Sequence, residues 1–136
     1  MMIDYTMEFL EQLTSDHNIK ILETKQLKPD TPSSSNVKKR KVVLNMLTPN
    51  KNELPFQLAH EIAHILNNDS GILYFSSTSN HSKIETNANK LAIKILMKYY
   101  FAEIPEDECN VDNFMDYYCI PEYLRDYTIS LCPQRQ

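Results

Sequence analysis

One short segment of this chain constrains the fold more than any other. Between residues 56 and 66 almost every position is apolar, yet His60, Glu61 and His64 stand within it. This pattern predicts a helix. We expect Asn52 to cap its start and Leu66 to be its last residue. A helix that is apolar nearly all the way round is buried. The fold must therefore bury two imidazoles and a carboxylate.

These three polar residues spell the pattern HExxH. Residues four apart lie on the same face of a helix, so the imidazoles of His60 and His64 can bind one cation. Glu61 lies about 100° round the helix, where it can hydrogen-bond a metal-bound water without being a ligand. Burying these groups without a partner would be unfavourable. The pattern therefore predicts a metal site rather than a surface helix with two histidines.

Zinc held by two histidines needs a third protein ligand and keeps one position for water. The candidates are Asp69, His81 and Glu85. Asp69 follows His64 too closely to return easily to the metal. Glu85 lies inside the apolar arc of a helix predicted over 82–101, where an acid needs a cation or a hydrogen-bond partner. Glu85 is therefore the favoured third ligand.

Alternatives to this ligand set stay open. Ser82 and Glu85 also have the spacing of a capping box, in which the glutamate returns to the start of its own helix. His81 is a possible loop ligand, although a lone loop histidine is more often solvent-exposed. One turn after Glu85, Asn89 could hold a ligating histidine through the other ring nitrogen.

The rest of the chain alternates between helical and strand signals. Helices surrounding a few strands make an α+β domain, and 136 residues suit a single domain. We expect a core at 20–101 and a C-terminal helical extension at 105–132. The predicted elements are a first helix at 3–15, strands at 20–27, 41–47 and 72–76, a loop at 28–36, and short helices at 111–118 and 121–131.

Composition excludes several classes of site. Gly71 is the only glycine, so loops that cradle phosphates with clustered glycines cannot be built. We expect Gly71 to serve the turn after the HExxH helix. The net charge of −4 argues against a nucleic-acid binder. The basic run at 38–41 is typical of a solvated loop or strand flank.

The N-terminal segment and the cysteines indicate the compartment. The first residues carry acids where a signal peptide has a basic start, and no window approaches the ~18 apolar residues of a membrane span. Cys109, Cys119 and Cys132 are odd in number and have no CxxC spacing, which is typical of reduced thiols. We expect a cytoplasmic protein with no membrane contact. The sequence does not predict an oligomeric state.

The combination of motifs resembles the ImmA/IrrE-type metallopeptidases of bacteria and prophages. HEIAH at 60–64, a gap of about twenty residues, and ETNAN at 85–89 match the HExxH and ExxAN patterns of that family. The strand KVVLNML and the segment before HEIAH are similar too, so the resemblance covers about residues 20–100. It implies a compact zincin-like domain, in which a small sheet packs against the HExxH helix and a second long helix.

The resemblance also implies a role for each residue of the site. His60, His64 and Glu85 would bind one zinc ion, or manganese in its place, and Glu61 would be the general base. Such enzymes commonly cleave a helix-turn-helix repressor, so we expect a phage- or prophage-encoded endopeptidase with a protein substrate. No residue matches a family oxyanion stabiliser, and the open candidates are Tyr74, His81 and Tyr99.

Two other functions are weighed against this one. The chain could bind zinc and sequester a repressor without efficient cleavage. It could also be a DNA-binding regulator that uses the C-terminal helices and the basic run at 38–41. The acidic net charge makes the DNA-binding hypothesis the weakest, so we expect no direct contact with nucleic acid.

Overall fold

The computed structural model describes residues 2–68, 78–102, 104, 105, 108 and 110–132. Within these residues a first helix is followed by three strands and then by four α-helices, which confirms the α+β prediction. The helices are α1 (Met2–Asp16), α2 (Leu54–Leu66), α3 (Thr78–Tyr100), α4 (Val111–Tyr118) and α5 (Arg125–Leu131), and the strands are β1 (Lys20–Thr24), β2 (Ser34–Asn36) and β3 (Lys41–Asn45). No helix in this part of the chain is long and apolar enough to cross a membrane.

The strand β3 lies at the centre of the three-stranded sheet. It pairs in parallel with β1 and antiparallel with β2, which leaves β2 at one edge. Val42 and Leu44 alternate along β3 and are fully buried, as expected for a strand with one face on the core. The turn between β2 and β3 contains most of the basic run at 38–41, and it fits the predicted strand flank.

The helix α2 lies at the centre of the molecule. It contacts α1, α3, β2 and β3, so a nearly continuous apolar surface is what its position requires. Its buried side chains confirm that the HExxH helix is a core element. The residues of α2 that are fully buried are Leu58, Ala59, Ile62, Ala63 and Ile65.

Two of the predicted boundaries are wrong. One error comes from strand pairing and the other from a turn before the helix. The predicted loop at 28–36 contains β2, because Ser34–Asn36 gains strand geometry by pairing with β3. Asn52 does not cap the HExxH helix, because Asn50 caps a preceding 3-10 turn at Lys51–Glu53. The predicted strand at 72–76 and Gly71 lie outside the described residues.

The C-terminal segment closes the core through aromatic packing. Tyr118 is fully buried, and its hydroxyl lies 2.9 Å from Oγ1 of Thr6 on α1. Burial is the main cause of the raised pKa of Tyr118. This contact joins the two ends of the chain. The rings of Tyr100, Phe101, Phe114, Tyr117 and Tyr118 form one cluster of neighbouring aromatics.

The cysteines differ in state. Cys119 ends α4 in a left-handed conformation with φ of 55° and has a free thiol. The prediction of reduced thiols is wrong for Cys132, which is disulfide-bonded. Sequence spacing carried no sign of this bond, because a disulfide depends on which thiols the fold brings together.

Asn45 fastens the segment before β2 to the end of β3. Its side chain is fully buried, and its Nδ2 donates to the carbonyl oxygens of Lys28 and Thr31, each at 2.8 Å. Its Oδ1 accepts from the backbone N–H of Leu47 at 3.0 Å. The amide side chain of Asn45 therefore helps to hold the chain leading into β2, together with the Ser33 hydroxyl, which accepts from the backbone N–H of Asn45 at 2.9 Å.

We predict that Asn45→Ala lowers the free energy of unfolding by about 2–4 kcal/mol, because buried backbone groups lose their partners. Urea denaturation of the variant beside the wild type measures the change. Gln26→Ala, at an exposed position, is the control and should stay within about 0.5 kcal/mol of wild type. Equal stability of Asn45→Ala and wild type would contradict the anchoring role.

Candidate metal centre

The helices α2 and α3 pack side by side and bring three predicted ligands together. His60 and His64 lie one turn apart on α2, and Glu85 lies in the second turn of α3. One ligand atom from each residue lies within 4.8 Å of the others. This convergence across two helices is the arrangement of a zincin-like site.

The separations within this cluster fit a single bound cation. Nε2 of His60 lies 3.0 Å from Oε1 of Glu85, and Nε2 of His64 lies 3.1 Å from Oε2 of Glu85. The two Nε2 atoms are 3.1 Å apart. Ligands at 2.0–2.1 Å from a tetrahedral zinc ion are separated by about 3.3 Å. Two imidazoles and one carboxylate are also a ligand set of catalytic zinc.

Asn89 favours the form of His60 that can bind a metal. Its Oδ1 lies 2.8 Å from Nδ1 of His60, the contact predicted from the helical spacing. An amide oxygen only accepts, so a neutral His60 that satisfies it carries its proton on Nδ1 and presents a lone pair at Nε2. In that form Nε2 is free to bind a metal, whereas a protonated Nε2 would donate to Oε1 of Glu85, 3.0 Å away.

Burial and charge differ across the cluster. His64 is buried, whereas the side chain of Glu85 is 32% exposed. Contacts first with His60 and then with His64 hold the pKa of Glu85 well below its ordinary value. The carboxylate of Glu85 is therefore ionised and lies on the side of the cluster that solvent can reach.

Glu61 lies beside the ligand cluster and contacts the sheet. Its Oε1 accepts a hydrogen bond of 2.8 Å from Oγ of Ser35 on β2. Burial is the largest influence on its pKa and raises it, while His60 and Ser35 act in the opposite direction. A carboxylate with a raised pKa, next in sequence to a metal ligand, is suited to accepting and returning a proton.

The sequence reasoning missed two residues that contact this site. The three serines and two prolines around Ser35 predict a loop. The strand β2 forms there because it pairs with β3. Tyr123, on the C-terminal segment, accepts a hydrogen bond of 3.2 Å from Nδ2 of Asn89. Nothing in local periodicity links positions that are 34 residues apart.

The structure tests only some of the other candidates. The capping-box reading of Ser82 and Glu85 is wrong, because α3 begins at Thr78. His81 lies within α3 rather than on a loop, and its side chain lies outside the description. Asp69 and Tyr74 lie outside the described residues.

Tyr99 lies far from the cluster. Its ring stacks on that of Phe9, with centroids 4.8 Å apart. It follows Glu85 by fourteen residues on the same helix, or roughly 21 Å along the axis at 1.5 Å per residue. The structure therefore does not bring Tyr99 to the metal cluster as an oxyanion stabiliser.

Most of the chain matches a known protein family. Residues 14–120 match the model of the Peptidase_M78 family, described as the IrrE N-terminal-like domain. The chain belongs to this family. Membership confirms the resemblance seen in HEIAH and ETNAN, and it supports a metallopeptidase-type function with a protein substrate. Neither the curated proteins nor the solved structures that were compared give a match.

We predict that His64→Ala and Glu85→Ala each weaken zinc binding by more than about 100-fold, because each removes a proposed ligand. Removing a residue that only hydrogen-bonds a ligand already lowers metal affinity by about 10–100-fold. Competition with a chromophoric chelator measures the affinity.

His17→Ala and Glu23→Ala are the matched controls, since both residues are exposed. Both should bind zinc as the wild type does. If Glu85→Ala keeps the wild-type affinity, Glu85 is not the third ligand.

Proposed function

We propose that this protein is a zinc-dependent endopeptidase. His60, His64 and Glu85 hold one zinc ion, and Glu61 is the general base. The observation that carries the proposal is the approach of the three ligand atoms to within 4.8 Å, with a carboxylate of raised pKa beside them. A family whose name is that of a peptidase supports the same chemistry.

The bound zinc would polarise the scissile carbonyl and lower the pKa of its water towards about 7. Glu61 accepts a proton from the attacking water. It then returns that proton to the amine that leaves when the C–N bond breaks, so protons balance over the reaction. Ser35 holds one oxygen of Glu61 from β2, which leaves the other for this transfer.

The ligand set favours zinc. Two imidazoles and a carboxylate also suit manganese, but zinc stands above manganese in the order of affinities for such sites. We therefore propose zinc as the metal that functions in the cell, with manganese as the alternative occupant.

The proposed substrate is a helix-turn-helix repressor in the same cytoplasm, and the proposed source is a phage or prophage. Support for this step comes from the resemblance to the ImmA/IrrE-type enzymes. The net charge of −4 supports a protein partner rather than direct binding to DNA.

We predict that Glu61→Gln lowers the rate of cleavage by about 100- to 10,000-fold while zinc affinity stays at the wild-type level, since the base is lost and the ligands are not. The assay incubates the zinc-loaded protein with a purified helix-turn-helix repressor of a prophage as the probe substrate and identifies the products by mass spectrometry. Glu23→Gln, an exposed change of the same kind, should cleave as the wild type does.

This experiment also separates cleavage from sequestration. An endopeptidase requires that Glu61→Gln fail to relieve repression in cells. If this variant relieves repression as well as the wild type and neither produces fragments, the protein sequesters the repressor and the endopeptidase proposal is wrong.

A further inference from the structure

The side chain of Asn89 has to be held for it to serve His60. A metal bound at Nε2 leaves the proton on Nδ1, and only the amide oxygen can accept it. Asn89 is 9% exposed, so its amide NH2 has little access to water. A protein acceptor for that NH2 is therefore part of what keeps the oxygen on His60.

Tyr123 is that acceptor. Its hydroxyl lies 3.2 Å from Nδ2 of Asn89, while Oδ1 of the same amide lies 2.8 Å from Nδ1 of His60. The three side chains form one chain of hydrogen bonds that ends at a metal ligand. Tyr123 itself is 74% exposed, so burial of its ring does not explain its position.

The backbone around Tyr123 is fixed by its neighbours. Leu124 is buried and Thr128 is fully buried, and Oγ1 of Thr128 donates to the carbonyl oxygen of Leu124 at 2.8 Å. Lys90, next to Asn89, has its ammonium 5.1 Å from the ring centre of Tyr127. The segment is thus docked on α3 at the height of the metal cluster.

We propose that Tyr123 is a positioning residue for the metal site and acts on His60 through Asn89. The inference rests on the proposed zinc site and extends it to a segment outside the family match, which ends at residue 120. The C-terminal extension thereby completes the ligand environment in addition to closing the core. The hydrogen bond that connects Tyr123 to the site is the one from Asn89.

The test measures zinc affinity, by chelator competition, in Tyr123→Phe. This change removes one hydroxyl from a residue that is 74% exposed and keeps its ring, so the fold should be unaffected. We expect zinc affinity to fall by about 3- to 10-fold, less than the 10–100-fold typical when a direct outer partner of a ligand is lost. Tyr127→Phe keeps the ring beside Lys90 and should bind zinc as the wild type does.

A second variant separates this route from general loosening. In an Asn89→Ala background, Tyr123→Phe should change zinc affinity by less than about twofold, because the amide through which it acts is gone. In the zinc-loaded wild type, the Nδ1–H proton of His60 should give a protected imidazole signal by NMR. That signal should exchange faster in Tyr123→Phe.

The outcomes distinguish this inference from the proposed function. Equal zinc affinity of Tyr123→Phe and wild type would overturn the positioning role while leaving the endopeptidase proposal standing. If Tyr123→Phe lowers zinc affinity as much in the Asn89→Ala background as in the wild type, the positioning role is overturned as well. A wild-type protein that binds zinc but cleaves nothing would overturn the endopeptidase proposal alone, because affinity and the NMR signal do not depend on cleavage.

Discussion

The close approach of a carboxylate and two imidazoles between α2 and α3 is the constraint on which the structure depends. The two ring nitrogens and the carboxylate oxygens lie 3.0–3.1 Å apart, a spacing that fits hydrogen bonds from the rings or a cation bound between them. Hydrophobic contacts around α2 hold the helices together and so hold these groups in place. A bound metal would add a further link between the two helices.

Because α2 lies at the centre, its histidines and Glu61 contact different neighbouring elements. The face that carries His60 and His64 meets Glu85 on α3. Glu61, about 100° round the helix, meets Ser35 on the sheet. The helix α2 thus presents the proposed metal ligands to α3 and the proposed base to the edge strand β2. This arrangement requires α2 to be packed on both sides.

The parts of the site that were predictable are those encoded by local spacing. His60 and His64 share a face because they are four residues apart. Glu85 was identified because an acid stood inside an apolar arc, and Asn89 because it followed one turn later. The order of most helices and strands followed from periodicity in the same way. Boundaries shifted where a turn preceded the helix, as at Leu54.

The contacts that were not predictable depend on the folded chain. Ser35 reaches Glu61 only because β2 pairs with β3, and its own sequence favours a loop. Tyr123 reaches Asn89 only because the C-terminal segment docks on α3. Neither residue has a periodic signal that relates it to the HExxH helix. The disulfide at Cys132 belongs to the same class, since only the fold decides which thiols meet.

The central claim is that these two imidazoles and one carboxylate form a single metal site. X-ray absorption spectroscopy at the zinc edge of the loaded protein tests it directly. The account predicts a shell of nitrogen and oxygen at about 2.0–2.1 Å with outer scattering from two imidazoles. A sulfur scatterer at about 2.3 Å, or scattering from fewer than two imidazoles, would contradict it.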